Sequence, residues 1–276
     1  MGALTKRVLV ALVAIPVLLF LTFWNQVLPF KLLVTAALIL ALIEYLQLAY
    51  EDKIKPQRTE GIVSLLIILL PLISKSVFSW TEGAGMLVVL LVLNLAFLWS
   101  QRTIKRMVVT VSVTFFGVAY FGFFGGYFFH LRDLSQGAWF LLWLYISTWA
   151  YDTGGFFAGS LWGKHRLAPQ VSPNKSWEGC LGGFALTLMG LYLLWQFMPT
   201  YSRVFNLADV VILATLLSFF GQIGDLVESI MKRSLSAKDS GSFFPGHGGV
   251  FDRIDSLLFN APVLYFYLVL IKHIQV

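Results

Sequence analysis

The sequence predicts an all-α, polytopic integral membrane protein, a helical bundle of about nine transmembrane helices with a cytoplasmic N-terminus. The first reason is composition, since 58% of the 276 residues are hydrophobic and 12% are charged, against about 25% charged in a typical soluble domain. The second is that apolar runs recur along the whole chain, giving a mean hydropathy of +0.79. The third is that basic residues alternate in density between successive connections. Together these observations exclude an ordinary soluble globular protein.

Nine apolar runs are candidates for crossing a hydrocarbon core of about 30 Å, which takes roughly 20 helical residues. The third and fourth runs are the shortest. The first run is expected to stay in the protein rather than act as a removable signal peptide, because further spans follow and no small-x-small cleavage site comes after it. In chain order the predicted spans are Val8–Phe23, Leu32–Tyr50, Ile62–Phe78, Ala84–Trp99, Met107–Phe129, Ala138–Gly159, Gly179–Met198, Leu207–Met231 and Leu257–Ile274.

The basic residues test this count, because Lys and Arg accumulate in cytoplasmic connections. Nine spans with the N-terminus inside leave only five of the 20 basic residues outside, namely Lys31, Lys75, Arg132, Arg203 and Lys272. The net charge of +6 therefore reflects orientation and an affinity for anionic lipid headgroups. It requires no nucleic-acid partner.

The polar residues predict a functional division near residue 106. Residues 1–106 form the N-terminal transmembrane helices, and residues 107–276 form a catalytic region with cytoplasmic loops 160–178 and 232–256, both parts belonging to one membrane-embedded unit. The lone Cys180 excludes an intrachain disulfide and a cysteine metal cluster. Half of the 14 acidic residues lie in or beside the two loops: Asp152, Glu178, Asp225, Glu228, Asp239, Asp252 and Asp255.

The cytoplasmic end of the eighth span carries Asp225, Glu228 and Lys232, whose spacing of i, i+3 and i+7 places them on one helix face. Ionisable groups inside a span cost about 2.5–3.5 kcal/mol each and usually face a bundle interior or a watery cavity. These three residues therefore indicate a site. The alternative is a mutually satisfied ion pair that closes the helix end.

The loop that follows contains "PGHGGVFDRIDS", Pro245–Ser256, directly before the last span. Its glycines permit a positive φ and close backbone approach, and successive amides there can form an anion-binding nest. His247 is a weak metal-ligand candidate, and we expect it to hydrogen-bond a phosphate or a loop carbonyl.

Asp252 and Asp255 are three residues apart and project to one side of the last span. A carboxylate near a helix N-terminus can simply cap the helix, but capping does not explain Arg253 between them. Carboxylates with no cysteine nearby suit a hard cation such as Mg²⁺ rather than zinc. The sequence therefore predicts a magnesium site.

The other loop, "GKHRLAPQVSPNKSWEG", spans Gly163–Gly179 and supplies donors suited to a polyphosphate. The alternative for its lysine and arginine is the positive-inside pattern. Ser176 can cap the next helix with Glu178 in the first turn, although capping leaves Asn174 and Lys175 unexplained. The phosphate-binding candidates are Lys164, His165, Arg166, Ser172, Lys175 and Ser176.

Two acids lie deeper in the predicted spans. Asp152, in the sixth span, is expected to be buried and is followed by Thr153, Gly154 and Gly155. Glu44, in the second span, has no evident link to the other acids, and a hydrogen-bonded interhelical contact is the preferred interpretation of it.

Carboxylates for Mg²⁺ beside basic phosphate donors at one membrane face are the equipment of phosphoryl or nucleotidyl transfer. Soluble phosphate motifs are absent, since Gly163-Lys164 lacks the remaining residues of a P-loop and no G-x-G-x-x-G occurs.

The stretch "SIMKRSLSAKDSGSFFPGHGGVFDRIDS", Ser229–Ser256, resembles the signature of the phosphatidate cytidylyltransferases, or CDP-diacylglycerol synthases. That signature has a Ser, then Lys-Arg, Lys-Asp, a spacer, His-Gly-Gly, Asp-Arg and Asp. "GKHRLAPQVSPNKSWEGCLGG" and "YDTGGFFAG" resemble two further stretches of the family, with Ser176 where Thr is common. The first five spans resemble the family only in hydropathy.

The resemblance implies a Mg²⁺-dependent reaction of phospholipid biosynthesis, in which CTP and phosphatidic acid give CDP-diacylglycerol and pyrophosphate. It implies that Asp225 and Asp252 bind Mg²⁺, with Asp255 and Asp239 as the next choices. Phosphates would be bound or neutralised by Lys232, Lys238, His247 and Arg253. The nucleotide or lipid phosphate would be lined by Lys164, Arg166, Ser172, Asn174, Lys175 and Ser176, supported by Glu178 and Asp152.

The expected partners are CTP and phosphatidic acid in the bilayer, and the expected location is the cytoplasmic (inner) membrane with the active site facing the cytoplasm. A homodimer is an open alternative. Two other functions remain open from the residues. A CTP-dependent kinase of a polyprenol-type lipid would transfer the γ-phosphoryl group instead. An ion-coupled transporter would place polar residues near the midplane of several spans, whereas here they gather at one face.

Overall fold

The computed structural model describes residues 3–74, 82–100, 104–241, 243 and 248–275, and these residues are mostly helical. A 3₁₀ turn at Ile104–Arg106 precedes α5, and π-helical turns at Tyr120–Phe124 and Tyr267–Ile271 follow α5 and α11. The helices are α1 Ala3–Phe23, α2 Val27–Glu51, α3 Arg58–Ser74, α4 Glu82–Leu98, α5 Met107–Ala119, α6 Gly125–Asp133, α7 Gly137–Trp162, α8 Trp177–Phe197, α9 Pro199–Val204, α10 Leu207–Ser234 and α11 Phe251–Phe266.

Five helical segments of the described chain are long and apolar enough to cross a membrane. Two shorter apolar helices, Leu12–Phe23 and Ala84–Leu98, fall on the predicted first and fourth spans. The protein is thus a helical membrane protein, while the predicted count of nine spans is not confirmed by helix length and composition. The five segments are Val27–Glu51, Ile104–Asp133, Trp177–Phe197, Leu207–Ser234 and Phe251–Ile271.

The fold departs from the all-α prediction in the loop between α7 and α8. Strands β1 (Arg166–Ala168) and β2 (Ser172–Ser176) form an antiparallel hairpin there, closed by a hydrogen bond from Val171 N to Ala168 O of 3.1 Å. The backbone amides and carbonyls between α7 and α8 need partners, and pairing within the loop supplies them.

The last helix also begins earlier than predicted, at Phe251 rather than Leu257. The first amides of a helix lack intrahelical acceptors, and here acidic side chains accept from them. Glu44 accepts from Val250 N and Phe251 N, each at 2.9 Å. Asp252 therefore lies in the first turn of α11 rather than in the preceding loop.

The chain divides into two units, which are described separately. The first comprises Met1–His130 and Lys232–Ile254. Within it, the π-helical turn between α5 and α6 brings Phe121 against Phe251, with ring centroids 5.0 Å apart in an edge-to-face arrangement. Both rings are completely buried, so the start of α11 is anchored in the core of this unit.

The second unit comprises Leu131–Met231 and Asp255–Val276. Within it, α7 and α8 pack along small residues: a Cβ atom at Gly154 would lie 2.9 Å from Leu186 Cβ, and one at Gly182 would lie 2.9 Å from Gly154 O. Thr187 Oγ1 donates to Ser147 O at 3.1 Å across this contact. Such seams of small residues let membrane helices approach closely.

Helices α10 and α11 of the second unit also approach closely. A Cβ atom at Gly224 would lie 2.8 Å from Asp255 O, so the backbone of α11 runs directly against α10 there. At the other end of α10, Asp209 accepts from Tyr267 Oη at 2.6 Å and from Lys272 Nζ at 2.8 Å. These contacts fix the two helices that carry the acidic residues. The functional division predicted at residue 106 stays a prediction.

Candidate active site

Three carboxylates meet in the second unit, and we call Asp225, Glu228 and Asp255 the acidic cluster. Each offers an oxygen, and the three oxygens lie within 4.8 Å of one another. Asp225 and Glu228 stand one helical turn apart on α10, and Asp255 comes from α11 where Gly224 permits close approach. Glu228 is 1% exposed. Three anionic oxygens at this spacing form an arrangement that a cation would stabilise.

Lys175 of β2 joins the acidic cluster by an ion pair with Asp225. Lys175 and Asp152 both lie near enough to Asp255 to interact with it electrostatically. The expectation that Asp152 is buried is wrong, because its side chain is exposed. The buried face of α7 is instead taken by residues such as Tyr151 and Gly154. The predicted Lys175 and Asp225 are thus brought together, with one basic and several acidic groups in a small volume.

The acidic cluster has the donor set of a divalent-cation site, since carboxylate oxygens are what hard cations prefer. The sequence places Glu228 on one helix face with Asp225 and indicates a site there, but the resemblance gives Glu228 no metal or phosphate role. The i, i+3 spacing that joins them was the available signal. Its near-complete burial against Asp255 could not be read from spacing, because that contact depends on how α11 packs.

A second group of polar contacts lies in the first unit. We call Glu44, Ser240, Gly249 and Asp252 the loop clamp. Asp252 Oδ2 accepts from Gly249 N at 2.7 Å, from Ser240 N at 3.0 Å and from Ser240 Oγ at 3.0 Å. Asp252 Oδ1 accepts from Lys232 Nζ at 2.6 Å, in an ion pair whose side chains are 6% and 12% exposed. The Asp252 carboxylate is therefore surrounded by donors of its own chain.

Two consequences follow for the predicted roles of these residues. Asp252 accepts from Gly249 N and Ser240 N, which precede α11, so its contacts hold the loop and do not match the capping alternative. Lys232, predicted to bind a phosphate, is engaged with Asp252 in this structure. The metal role of Asp252 stays a prediction.

Glu44 completes the loop clamp from α2. Its Oε1 accepts from Val250 N, and its Oε2 accepts from Phe251 N at 2.9 Å and from Ser240 Oγ at 3.0 Å. The interpretation of Glu44 as a hydrogen-bonded contact between segments is confirmed. Ser240, which is 3% exposed, was missed, since nothing in its sequence surroundings distinguishes it from neighbouring serines.

The two glycines of the His-Gly-Gly element have separate reasons to be glycine. Gly248 has a φ of +80°, which L side chains rarely adopt, and a Cβ atom there would collide with the Asp252 carboxylate. A Cβ atom at Gly249 would collide with Glu44 Oε2 and Ser240 Oγ. The successive amides of residues 249–251, predicted to form an anion-binding nest, donate to the carboxylates of Asp252 and Glu44, and binding of an external anion there stays a prediction.

The β-hairpin is tied to the start of α8. Ser176 Oγ accepts from Gly179 N at 3.1 Å, which confirms the predicted cap. Glu178, in the first turn, accepts from Lys164 N and His165 N, each at 3.2 Å, and pairs with His165 Nδ1 at 2.5 Å. These two side chains fix the entrance to α8. Their predicted contacts with substrate stay predictions.

The remaining predicted residues lie on the surface or outside the described chain. Arg166 Nη1 donates to Asn174 O at 3.4 Å across the hairpin, and Ser172 is half-buried. His247 lies outside the described residues. Their predicted roles stay predictions, as do those of the exposed residues Lys164, Asn174, Lys238, Asp239 and Arg253.

Comparison with known proteins places this geometry in a context. The sequence profile of the cytidylyltransferase family matches residues 5–271. A phosphatidate cytidylyltransferase of Bacillus subtilis (strain 168) is 35% identical over 271 residues, covering 96% of this chain and 97% of that protein. Phosphatidate cytidylyltransferases of Staphylococcus epidermidis and Staphylococcus haemolyticus are 33% and 34% identical, covering 84% and 83% of this chain and 88% and 86% of those proteins.

Proposed function

This chain belongs to the cytidylyltransferase family, and we propose from that membership and from the acidic cluster that it transfers the cytidylyl group of CTP to phosphatidic acid. The products are CDP-diacylglycerol and pyrophosphate, so the chain is a nucleotidyltransferase of phospholipid biosynthesis. A lipid kinase and an ion-coupled transporter find no support among the similar proteins.

The reaction exchanges one phosphoanhydride bond for another. A phosphate oxygen of phosphatidic acid attacks the α-phosphorus of CTP and forms the new P–O bond. The bond from the α-phosphorus to the bridging oxygen breaks, and the electron pair leaves with pyrophosphate. Because the attacking phosphate is already anionic at neutral pH, no side chain has to remove a proton from it. The task of the protein is to position two polyanions and neutralise their charge.

The acidic cluster carries the metal-dependent part of this proposal. Asp225, Glu228 and Asp255 bring three carboxylate oxygens within 4.8 Å of one another, and this donor set fits Mg²⁺. When bound, Mg²⁺ neutralises phosphate charge and polarises the phosphoryl oxygens. Asp225 is the ligand on which sequence and geometry agree. Asp252 keeps its predicted metal-binding role, which would require it to release Lys232.

Basic side chains bind the phosphates in this proposal. Lys175 is held at the acidic cluster by Asp225, so a phosphate that binds there meets an ammonium group as well as the metal site. Lys164 and Arg166, on the hairpin and its approach, bind the outer phosphates. Lys232 reaches a phosphate when it releases Asp252. The other predicted phosphate ligands lie in the predicted loop 232–256, which continues into α11. They are Lys238, His247 and Arg253.

The two substrates determine where the reaction takes place. Phosphatidic acid stays in the bilayer and CTP in the cytoplasm, so the site belongs at the inner face of the cytoplasmic membrane. The nine predicted spans, with a cytoplasmic N-terminus and both loops inside, are part of this proposal. The proposal requires neither nucleic acid nor a second copy of the chain, and the homodimer stays an expectation.

The test uses purified protein in detergent micelles containing phosphatidic acid, with Mg²⁺ and with CTP labelled at either the α- or the γ-phosphorus. We expect label from the α position in the lipid and label from the γ position in released pyrophosphate. Lipid labelled only from the γ position would contradict the proposal in favour of a kinase. Folded protein that transfers neither label would contradict the enzyme proposal as a whole.

Variants connect the reaction to the acidic cluster. D225N keeps the shape of the side chain but removes its charge, and we expect turnover to fall by at least about 100-fold, the scale of losing one charge-stabilising group. E51Q is the matched control, because Glu51 is an exposed carboxylate that contacts Gln47. Wild-type turnover in D225N, or loss in E51Q, would remove the acidic cluster from the mechanism.

A further inference from the structure

Glu44 is an acidic residue in the middle of an apolar helix, yet the reaction proposed above gives it no task. It lies in α2, within one of the five candidate membrane spans. A carboxylate is costly in such a place, so its retention needs specific partners. It has three: two backbone amides at the start of α11 and the hydroxyl of Ser240.

The partners of Glu44 connect directly to Asp252. Ser240 Oγ lies 3.0 Å from Glu44 Oε2 and 3.0 Å from Asp252 Oδ2. A hydroxyl has one proton to donate, so it can bond only one of the two carboxylates fully at a time. Asp252 also holds Ser240 N and Gly249 N. Any shift of Ser240 or of the 249–251 backbone is therefore transmitted to the Asp252 carboxylate.

The backbone is built around the Glu44 carboxylate. Gly249 is buried, and a Cβ atom there would collide with Glu44 Oε2. Val250 and Phe251 are 4% and 0% exposed, so water cannot replace Glu44 as the acceptor for their amides. Unsatisfied buried amides are destabilising. The Glu44 carboxylate is therefore the acceptor that holds these two amides in this loop conformation.

We propose that Glu44 is a positioning residue for cytidylyl transfer, which holds the 248–251 loop and Ser240 so that Asp252 is presented in one orientation. This inference rests on the proposed function and adds a residue from the N-terminal helices to its machinery. Glu44 acts through Asp252 and does not itself contact substrate. It assigns a catalytic contribution to α2, a helix outside the stretches whose sequence carries the family signature.

The variant E44Q tests the role with the smallest change in shape. Val250 N donates to one oxygen of Glu44 and Phe251 N to the other. The side-chain amide of glutamine has only one oxygen, so its NH₂ group would face one of these two backbone N–H groups, and that hydrogen bond would be lost. We expect kcat to fall by up to about 100-fold, because small misplacements of reacting groups lower rates on that scale. The KM values for CTP and phosphatidic acid are expected to stay at the wild-type level, because an effect on the transition state alone lowers kcat and kcat/KM equally.

The matched control is E51Q, which removes the same charge from the same helix seven residues later, where the side chain is exposed. E51Q is expected to keep wild-type kcat. Turnover is normalised to folded protein, counted by size-exclusion chromatography and thermal unfolding. An E44Q protein with wild-type kcat per folded molecule would overturn the proposal.

A second readout is independent of activity. Hydrogen exchange of the peptide covering residues 248–254 is expected to speed up in E44Q, with exchange in α7 and α8 unchanged. Exchange that is faster in all peptides alike, or unchanged in the peptide covering residues 248–254, would overturn the positioning role.

S240A should also lower kcat, and its effect in the double variant with E44Q should be less than additive, because both act through Asp252. Additive effects would contradict that route. Wild-type protein inactive with CTP would overturn the proposed function instead, while the exchange experiment still tests Glu44.

Discussion

Single glycines decide whether the loop before α11 can exist. Gly249 lies directly against the Glu44 carboxylate and the Ser240 hydroxyl, and Gly248 has a positive φ and lies against the Asp252 carboxylate. Glycine is required at both positions because an added Cβ atom would collide with neighbouring side chains, not because the loop needs flexibility there. The acids that surround them are held by hydrogen bonds from buried amides, so local packing and electrostatics are coupled in this loop.

At this scale we predict that G249A is destabilised by about 1–3 kcal/mol, the usual cost of forcing an atom into a packed site. It should also lose most of its turnover, because Glu44 or Ser240 must move. Thermal unfolding in detergent and the labelled-CTP assay measure the two effects.

The matched control for G249A is G85A, because a Cβ atom at Gly85 has nothing within 4 Å. Gly85 lies inside α4, where alanine is favoured over glycine by up to about 1 kcal/mol. We expect G85A to be as stable as the wild type or slightly more stable, with unchanged turnover. Equal behaviour of the two variants would show that the loop tolerates a side chain at residue 249.

At the scale of elements, α7 and α8 are joined by the β-hairpin and held together by small residues. A Cβ atom at Gly182 would lie 2.9 Å from Gly154 O and would collide with Ala158 Cβ. Ser176 caps α8, and Glu178 ties the approach to the hairpin to that same helix end. The hairpin residue Lys175 is thereby directed to Asp225. Packing of this helix pair and the geometry of the acidic cluster are therefore linked.

We predict that G182A separates α7 from α8 and lowers the free energy of unfolding by about 1–3 kcal/mol. G190A is the control on the same helix, because the nearest atom to its Cβ would be Ile146 Cγ2 at 3.4 Å, an ordinary contact. Unfolding temperatures in detergent should fall for G182A and hold for G190A. Equal unfolding temperatures would contradict a close seam.

At the scale of the whole molecule, orientation follows from charge placement. Fifteen of the 20 basic residues are predicted to be cytoplasmic, which predicts that the two loops we propose to bind substrate face the side where CTP is found. The single native cysteine makes this testable, since C180A leaves a chain without thiols. Cysteines introduced one at a time then report the side of each connection.

In the C180A background, after its turnover has been checked, we predict that K55C and K105C are shielded from an impermeant maleimide on intact cells. K75C and R203C are predicted to react. Residue 75 lies outside the described part of the structure, but its side depends only on whether α3 crosses the membrane. Labelling of K105C and R203C from one side would contradict the three crossings predicted between them.

The sequence by itself determined that the protein lies in a membrane, that it is mostly helical, which reaction it is expected to catalyse and where its two polar loops lie. Each of these conclusions rests on a local pattern: the length of apolar runs, the bias of basic residues and a long signature. The sequence also predicted the Ser176 cap, which the structure confirms, and site roles for Asp225 and Lys175, which stay predictions. Only the tertiary structure decided that Asp225 groups with Glu228 and Asp255, that Asp152 is exposed, and that Lys232 is engaged with Asp252. Glu44 is the clearest case: it lies 196 residues before Ser240 and 207 residues before Phe251, and helical spacing cannot reveal a contact made by packing.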